Sequence, residues 1–222
     1  MTDQNPSPPP SPIFAAPLRL GDEVPGFTAR STQGPFSLAD LRGRWVMLFS
    51  HPADFTPVCT SEFVAIARAA DRFAALDCAL VALSVDSLFS HLAWIRMIHD
   101  RFDVRIDFPI IEDPSMVIAR AYGMLGPDAQ DASAVRASYF VDPDGILRAM
   151  TCYPATVGRS VDEMIRMIAA LQRVHAGDVL APAGWTPGAD LLRPPGETVE
   201  AALGARHAAD WFYASIPDEP AK

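Results

Sequence analysis

From Trp45 onward, short runs rich in β-branched and aromatic residues alternate with stretches whose apolar positions recur every three to four residues. That alternation predicts a sheet with helices on its faces. Residues 45–50, 79–85, 108–111, 138–141 and 146–152 read as strands. Between the first two, residues 60–76 put Phe63, Ile66, Ala67, Ala70 and Phe73 on one helical face. Residues 114–122 form a shorter helix closed by Gly123, and Asp142-Pro143-Asp144-Gly145 has the turn chemistry of a hairpin. Ser160 caps a further amphipathic helix carrying Met164, Ile165, Ile168 and Leu171 on one side and ending near Gly177. The expected fold class is α/β, with a mixed central sheet flanked by helices, built as a βαβ half followed by a hairpin.

The ends of the chain break this pattern. Residues 1–17 contain six prolines and no apolar stretch of signal-peptide type, so they read as a disordered, partly polyproline tail with neither signal nor transit peptide. Residues 18–176 form the expected compact domain. Beyond Gly177, prolines and glycines follow at short intervals, and residues 177–222 read as an arm too loop-rich to bury a core of its own. Trp211, Phe212 and Tyr213 would anchor it, on its own domain or on a second subunit.

Composition narrows the function classes. Eighteen basic against 27 acidic residues leave a net charge of −9, which repels phosphate backbones and anionic lipid surfaces, so nucleic acid and membrane partners are not expected. The longest apolar run, residues 78–83, is far too short to cross a bilayer. Three cysteines, at 59, 78 and 152, form no CxxC and no disulfide framework, which fits a reducing cytoplasm. No spacing calls for a metal or a cofactor: His91 and His99 share a helix but stand roughly 80° apart around its axis, a poor joint ligand set. Gly158-Arg159-Ser160-Val161-Asp162 lacks the second glycine of a serine-hydrolase elbow.

The candidate chemistry lies in Ser50-His51-Pro52-Ala53-Asp54-Phe55-Thr56-Pro57-Val58-Cys59-Thr60-Ser61-Glu62-Phe63, which joins a buried strand to an amphipathic helix. Thr56 is placed to cap that helix and Pro57 to open it, so Cys59 falls in the first turn, where the helix dipole and free amides favour a thiolate. Free cysteines are otherwise among the most buried residues, and that plain reading is kept for the strand positions Cys78 and Cys152. Cys59, with cap, dipole and loop access together, points to redox or nucleophilic work.

The string Pro52-Ala53-Asp54-Phe55-Thr56-Pro57-Val58-Cys59 resembles the P-x-x-x-T-x-x-C signature of the peroxiredoxins. Ser84-Val85-Asp86-Ser87 with His91 and Trp94, Phe108-Pro109-Ile110, Ala121-Tyr122-Gly123-Met124, and Arg136 before Tyr139-Phe140-Val141-Asp142-Pro143 follow in family order. The likeness runs from Leu18 to Tyr213. His51, Tyr153-Pro154 with Gly158-Arg159, and Trp185 with Pro187-Gly188 resemble the one-cysteine subfamily. The resemblance implies a thioredoxin-like fold whose C-terminal arm helps build a homodimer, in some relatives a ring of dimers. It implies a thiol-dependent peroxidase in which Cys59 attacks hydrogen peroxide or an alkyl hydroperoxide and becomes a sulfenic acid, later reduced by an external thiol. Arg136 would then stabilise thiolate and peroxide, Thr56 would orient the oxygens and Pro52 would shield the sulfur. Plainer roles stand beside these: a surface ion pair for Arg136, a cap for Thr56, a stiff loop for Pro52. Glu62 would either brace Arg136 or Arg159 or answer the helix dipole, and His51 would either line the pocket or support the dimer.

Two departures from the family pattern matter. The segment 205–213 holds no resolving cysteine, and Arg42-Gly43-Arg44-Trp45-Val46 lacks the lipase-like serine some subfamily members carry, so phospholipase activity is not expected. Two rival readings are a peroxide sensor or chaperone-like assembly switched by Cys59 oxidation, and an inactive thioredoxin-like scaffold.

Overall fold

A computed structural model describes residues 18–125, 135–205, 207 and 209–218. The proline-rich segment 1–17 lies outside the described residues. The central strand β3 (Trp45–Ser50) is buried at every position, which explains its unbroken apolar run. Period-two alternation splits its side chains between two cores. Trp45, Met47 and Phe49 face helices α1 (Pro57–Arg68), α3 (Leu88–Phe102) and α5 (Val161–Val174), whereas Val46 and Leu48 face α4 (Val117–Ala121) and the segment before β3.

Strand β4 (Cys78–Ser84) runs parallel to β3, and β5 (Ile110–Glu112) parallel to β4. On the other side β6 (Arg136–Val141) is antiparallel to β3 and returns through a hairpin into β7 (Leu147–Tyr153). The expected βαβ half followed by a hairpin is therefore what forms. The hairpin turn works as its residues suggest: Asp142 Oδ1 accepts from the backbone N–H groups of Asp144 and Ile146, and Gly145 takes φ +78°. Two further strands, β1 (Thr28–Ser31) and β2 (Gly34–Ser37), extend the sheet at the β5 edge in the order β2-β1-β5-β4-β3-β6-β7. The sequence does not signal them, because four-residue strands of mostly half-buried or exposed positions carry almost no alternation to read.

The helix expected over residues 60–76 is two helices. α1 ends at Arg68, and α2 (Ala70–Ala75) restarts after Ala69, which leaves the helical region with φ −99° and ψ 8°. No proline or glycine marks this break. It lets Phe63 and Ile66 of α1 and Phe73 of α2 all enter the core. α4 starts at Val117 rather than near Pro114, after Met116 takes a left-handed φ of +60°. There the buried Asp113 accepts the Ala119 N–H.

Past Gly177 the arm folds back onto α5, where Val179, Trp185 and Leu191 pack on Ala169 and Ala170. The short strands β8 (Leu191–Leu192) and β9 (Ser215–Ile216) pair along it, and helix α6 (Val199–Gly204) lies between them in sequence. The intramolecular anchor is Trp185, 3 % exposed; Trp211, Phe212 and Tyr213 are 39, 53 and 60 % exposed and do not anchor the arm to its own domain.

The two-sided burial of β3 makes its large side chains the most sensitive positions for stability. Truncating Phe49→Ala should cost about 3–5 kcal/mol in urea unfolding. Truncating Phe89→Ala, which is 74 % exposed, should change it by no more than about 0.5 kcal/mol.

Candidate active site

The site forms where β3 gives way to α1. Ser50, the last residue of β3, donates its hydroxyl to the Val135 carbonyl and accepts the Ala137 N–H at 3.1 Å, while the His51 N–H bonds the Leu83 carbonyl at 3.1 Å. The start of the following loop is thus pinned to the sheet from two sides, by β6 and β4. Phe55 turns the loop with φ +57°, a conformation costly for a non-glycine residue, and Thr56 enters the helix from extended backbone. Pro57 opens the helix as expected. The Thr56 side chain departs from expectation: its hydroxyl donates to the Ala53 carbonyl at 2.9 Å and makes no capping bond. Pro52 is buried in the same loop.

Cys59, in the first turn of α1, is fully buried, and Arg136 Nη1 stands 3.3 Å from its sulfur. Arg136 opens β6 and is 2 % exposed. Its Nε and Nη2 donate to the Ala155 carbonyl at 3.0 and 2.7 Å, and its Nη1 also donates to Glu62 Oε2 at 2.8 Å. Glu62, one turn after Cys59 on the same helix face, receives Arg159 as well. Oε1 accepts the Arg159 backbone N–H at 2.7 Å and its Nε at 2.9 Å, and Oε2 accepts its Nη2 at 2.9 Å. Arg159 Nη1 then reaches the Ala137 carbonyl at 2.8 Å, and its guanidinium lies 5.4 Å from the Phe49 ring centre. One buried carboxylate therefore holds two buried guanidiniums, a fork geometry that fits arginine's planar set of donors. Of the two readings for Glu62, the arginine brace is the arrangement found. Burial alone would raise the Glu62 pKa, but the hydrogen bonds and charge of Arg159, with Arg136, outweigh it and hold the carboxyl below its ordinary 4.5.

His51 is fully buried, its ring 4.8 Å from Phe63 and 5.2 Å from Trp94. Its Nε2 lies 2.9 Å from Asp54 Oδ1, and His91 Nδ1 lies 2.8 Å from Asp54 Oδ2. Asp54 carries no role in the sequence reading, and His91 enters it only beside Trp94 in the family-order motifs and as a poor joint ligand with His99, which is exposed. The signal available was an aspartate two positions beyond Pro52, in a loop whose neighbours are otherwise apolar or small.

The other cysteines sit differently. Cys78 is buried on β4 and burial pushes its thiol up to about 12, which keeps it protonated and unreactive. Cys152 is exposed on β7, in register with Ala137.

Residues 20–150 match the AhpC/TSA family. The chain is 49% identical over 180 residues to peroxiredoxin 2 of Caldanaerobacter subterraneus subsp. tengcongensis, covering 81% of each chain. It is 42% identical over 207 residues to a peroxiredoxin of Methanosarcina mazei, covering 87% of this chain and 94% of that one. Among solved structures, a yeast mitochondrial 1-Cys peroxiredoxin superposes with a TM-score of 0.81 at 33% identity, over 90% of this chain and all of the other. A cysteine-to-serine mutant of peroxiredoxin 6 of Arenicola marina superposes with a TM-score of 0.76 at 34% identity, over 84% of this chain and 88% of that one. The mixed sheet and its flanking helices are accordingly the thioredoxin-like fold of these proteins. With a family match over more than half its length and relatives above 40% identity over most of it, the chain belongs to the peroxiredoxins and is a thiol-dependent peroxidase.

Proposed function

We propose that this peroxidase works by a one-cysteine mechanism in which Cys59 reduces hydrogen peroxide and alkyl hydroperoxides and an external thiol restores it. The observation that carries the reading is the buried Arg136 guanidinium 3.3 Å from Cys59 Sγ, held there by Glu62 in the first turns of the same helix. The Cys59 thiolate attacks the terminal oxygen of the hydroperoxide. An S–O bond forms as the O–O bond breaks, and the leaving oxygen takes the hydroperoxide proton to depart as water or alcohol; sulfur is oxidised by two electrons to the sulfenate, which takes one proton from solvent to become the sulfenic acid. Arg136 supports the negative charge first on sulfur and then on the departing oxygen. Thr56 orients the peroxide through its hydroxyl, and Pro52 keeps bulk water from the sulfur.

An external reductant follows from the remaining thiols. Cys78 is buried and protonated, Cys152 sits on the exposed side of β7, and residues 205–213 contain no cysteine. The yeast 1-Cys relative is resolved via glutathione/thioredoxin systems, which supports a small-thiol or thioredoxin-type reductant here. A homodimer, or a ring of such dimers, is the assembly we infer. β7 is an edge strand with Met150 and Cys152 exposed, and Trp211, Phe212 and Tyr213 are large aromatic side chains left well exposed among the described residues. The composition and the cysteine usage support a cytoplasmic setting.

With one equivalent of hydrogen peroxide and dimedone present, peptide mass spectrometry should find the adduct on Cys59 and none on Cys78, and Cys59→Ser should abolish it. Oxidation shared evenly among the three cysteines would overturn the assignment, and turnover that stops after one equivalent whichever thiol is supplied would favour a sensor. Glu62→Gln should slow the peroxide reaction by at least about tenfold and lower stability at pH 7 by about 3–5 kcal/mol, because two buried guanidiniums lose their counter-charge. Since the folded-state pKa of Glu62 is depressed, its contribution is complete above 4.5 and lost as pH falls through the lower folded value. The stability gap between wild type and Glu62→Gln should therefore hold from pH 7 to 5 and narrow only below about 4.5, read from urea midpoints.

A further inference from the structure

Asp54 is 1 % exposed at its side chain, and the two imidazoles that flank it are fully buried. An ionised carboxylate only accepts hydrogen bonds, so His51 must present Nε2–H and His91 must present Nδ1–H to it. The opposite nitrogens, His51 Nδ1 and His91 Nε2, are the buried side-chain polar atoms that lack a partner among the described residues. A protonated imidazolium would put an N–H where no acceptor stands, so the hydrogen-bond pattern fits two neutral rings, each with a bare nitrogen at its far side. The N···O separations of 2.8 and 2.9 Å are hydrogen-bond lengths, so each gap is filled by a proton.

This group reaches both elements that flank Cys59. Asp54 lies within the 51–56 loop, and its own N–H is held by Asp86 Oδ2 at 2.9 Å, which Ser84 Oγ holds in turn at 2.8 Å. One turn beyond His91 on α3, Trp94 Nε1 donates to Thr60 Oγ1 at 3.2 Å, and that hydroxyl donates to the Thr56 carbonyl at 2.8 Å. Residues i and i+3 share a helix face. α3 therefore grips the loop before Cys59 through His91 and the helical turn around it through Trp94.

We propose that Asp54 and His91 are positioning residues for the reaction at Cys59: the carboxylate, bonded to both imidazoles, fixes the loop that carries Pro52 and Thr56 against α3. This rests on the peroxidase reading of the same site. Burial holds the His51 pKa below its ordinary 6.5, against the hydrogen bond and charge of Asp54 and with a further lowering from His91. Burial would raise Asp54, but the bonds from the two imidazoles hold it well below the ordinary carboxylate range. The charged or titratable groups that bear on His51 are Asp54 of its own loop, His91 of α3 and Asp86 beyond β4; Phe63 and Trp94 close the remaining sides without charge.

The test uses the full-length reduced protein. Nitrogen-15 NMR of the imidazoles should find His51 as the Nε2–H tautomer and His91 as the Nδ1–H tautomer, with His51 still neutral at pH 6. Rapid-mixing kinetics with hydrogen peroxide at pH 7 should show Asp54→Asn and His91→Leu slowed ten- to a hundredfold in loss of the Cys59 thiol. His91→Asn, whose amide nitrogen sits near the place of Nδ1 and restores the donor, should return to within about threefold of wild type. The reverse tautomers, a charged imidazole at pH 7, or Asp54→Asn and His91→Leu reacting at the wild-type rate while only their melting temperature falls would each overturn the proposal. A wild-type protein whose Cys59 ignores peroxide would instead bring down the peroxidase reading, and the positioning role with it.

Discussion

Everything around Cys59 depends on one carboxylate. Glu62 takes hydrogen bonds from Arg136 and Arg159 and leaves one positive charge in excess beside the sulfur, in a place almost free of solvent. Two guanidiniums could not be buried there unaccompanied, because the cost of stripping water from each would exceed what the surrounding carbonyls return. The same three residues tie together parts of the chain that are far apart in sequence: α1, the start of β6 and the loop before α5. That excess charge faces the Cys59 sulfur. The arrangement therefore serves stability and chemistry through the same bonds.

The sheet supplies the rigidity this requires. β3 is packed on both faces and flanked by β4 and β6, so the point at which it releases the chain into the Cys59 loop is fixed from two sides. Ser50 bonds backbone on the β6 side, and the His51 N–H bonds the end of β4. The α1 N-terminus is then aimed at the mouth of the sheet, where strand-to-helix loops of α/β proteins collect ligands. The Asp54 group adds a second set of ties from α3, and its place in the loop explains how an aspartate comes to be buried within an otherwise apolar wall of Phe63 and Trp94.

Local chemistry was legible wherever a residue acts within its own neighbourhood. The alternation of β3, the Asp142–Gly145 turn, the Ser160 cap and the proline that opens α1 follow from period, turn residues and the capping geometry of a single segment. The Cys59 motif was legible for the same reason, since cap, dipole and thiol lie within four residues. Failures cluster where a distant part of the molecule outvotes the local signal. The break at Ala69 serves the packing of Phe63 and Phe73 in the shared core. The arm settles on α5 through Trp185 rather than through the more conspicuous aromatics at 211–213.

The sequence by itself determined the types and order of the main elements from β3 to α5 and the motif on which the proposed chemistry rests, because each is written in spacing along the chain. Only the tertiary structure decided which partners meet. Arg136 and Arg159 lie 74 and 97 positions from Glu62, and His91 lies 37 from Asp54. They meet because antiparallel pairing of β6 with β3 and the packing of α3 on the same core bring them to one end of the sheet. An ion pair or an imidazole–carboxylate bond has no period to read; it forms where burial makes an unpaired charge too costly to leave alone.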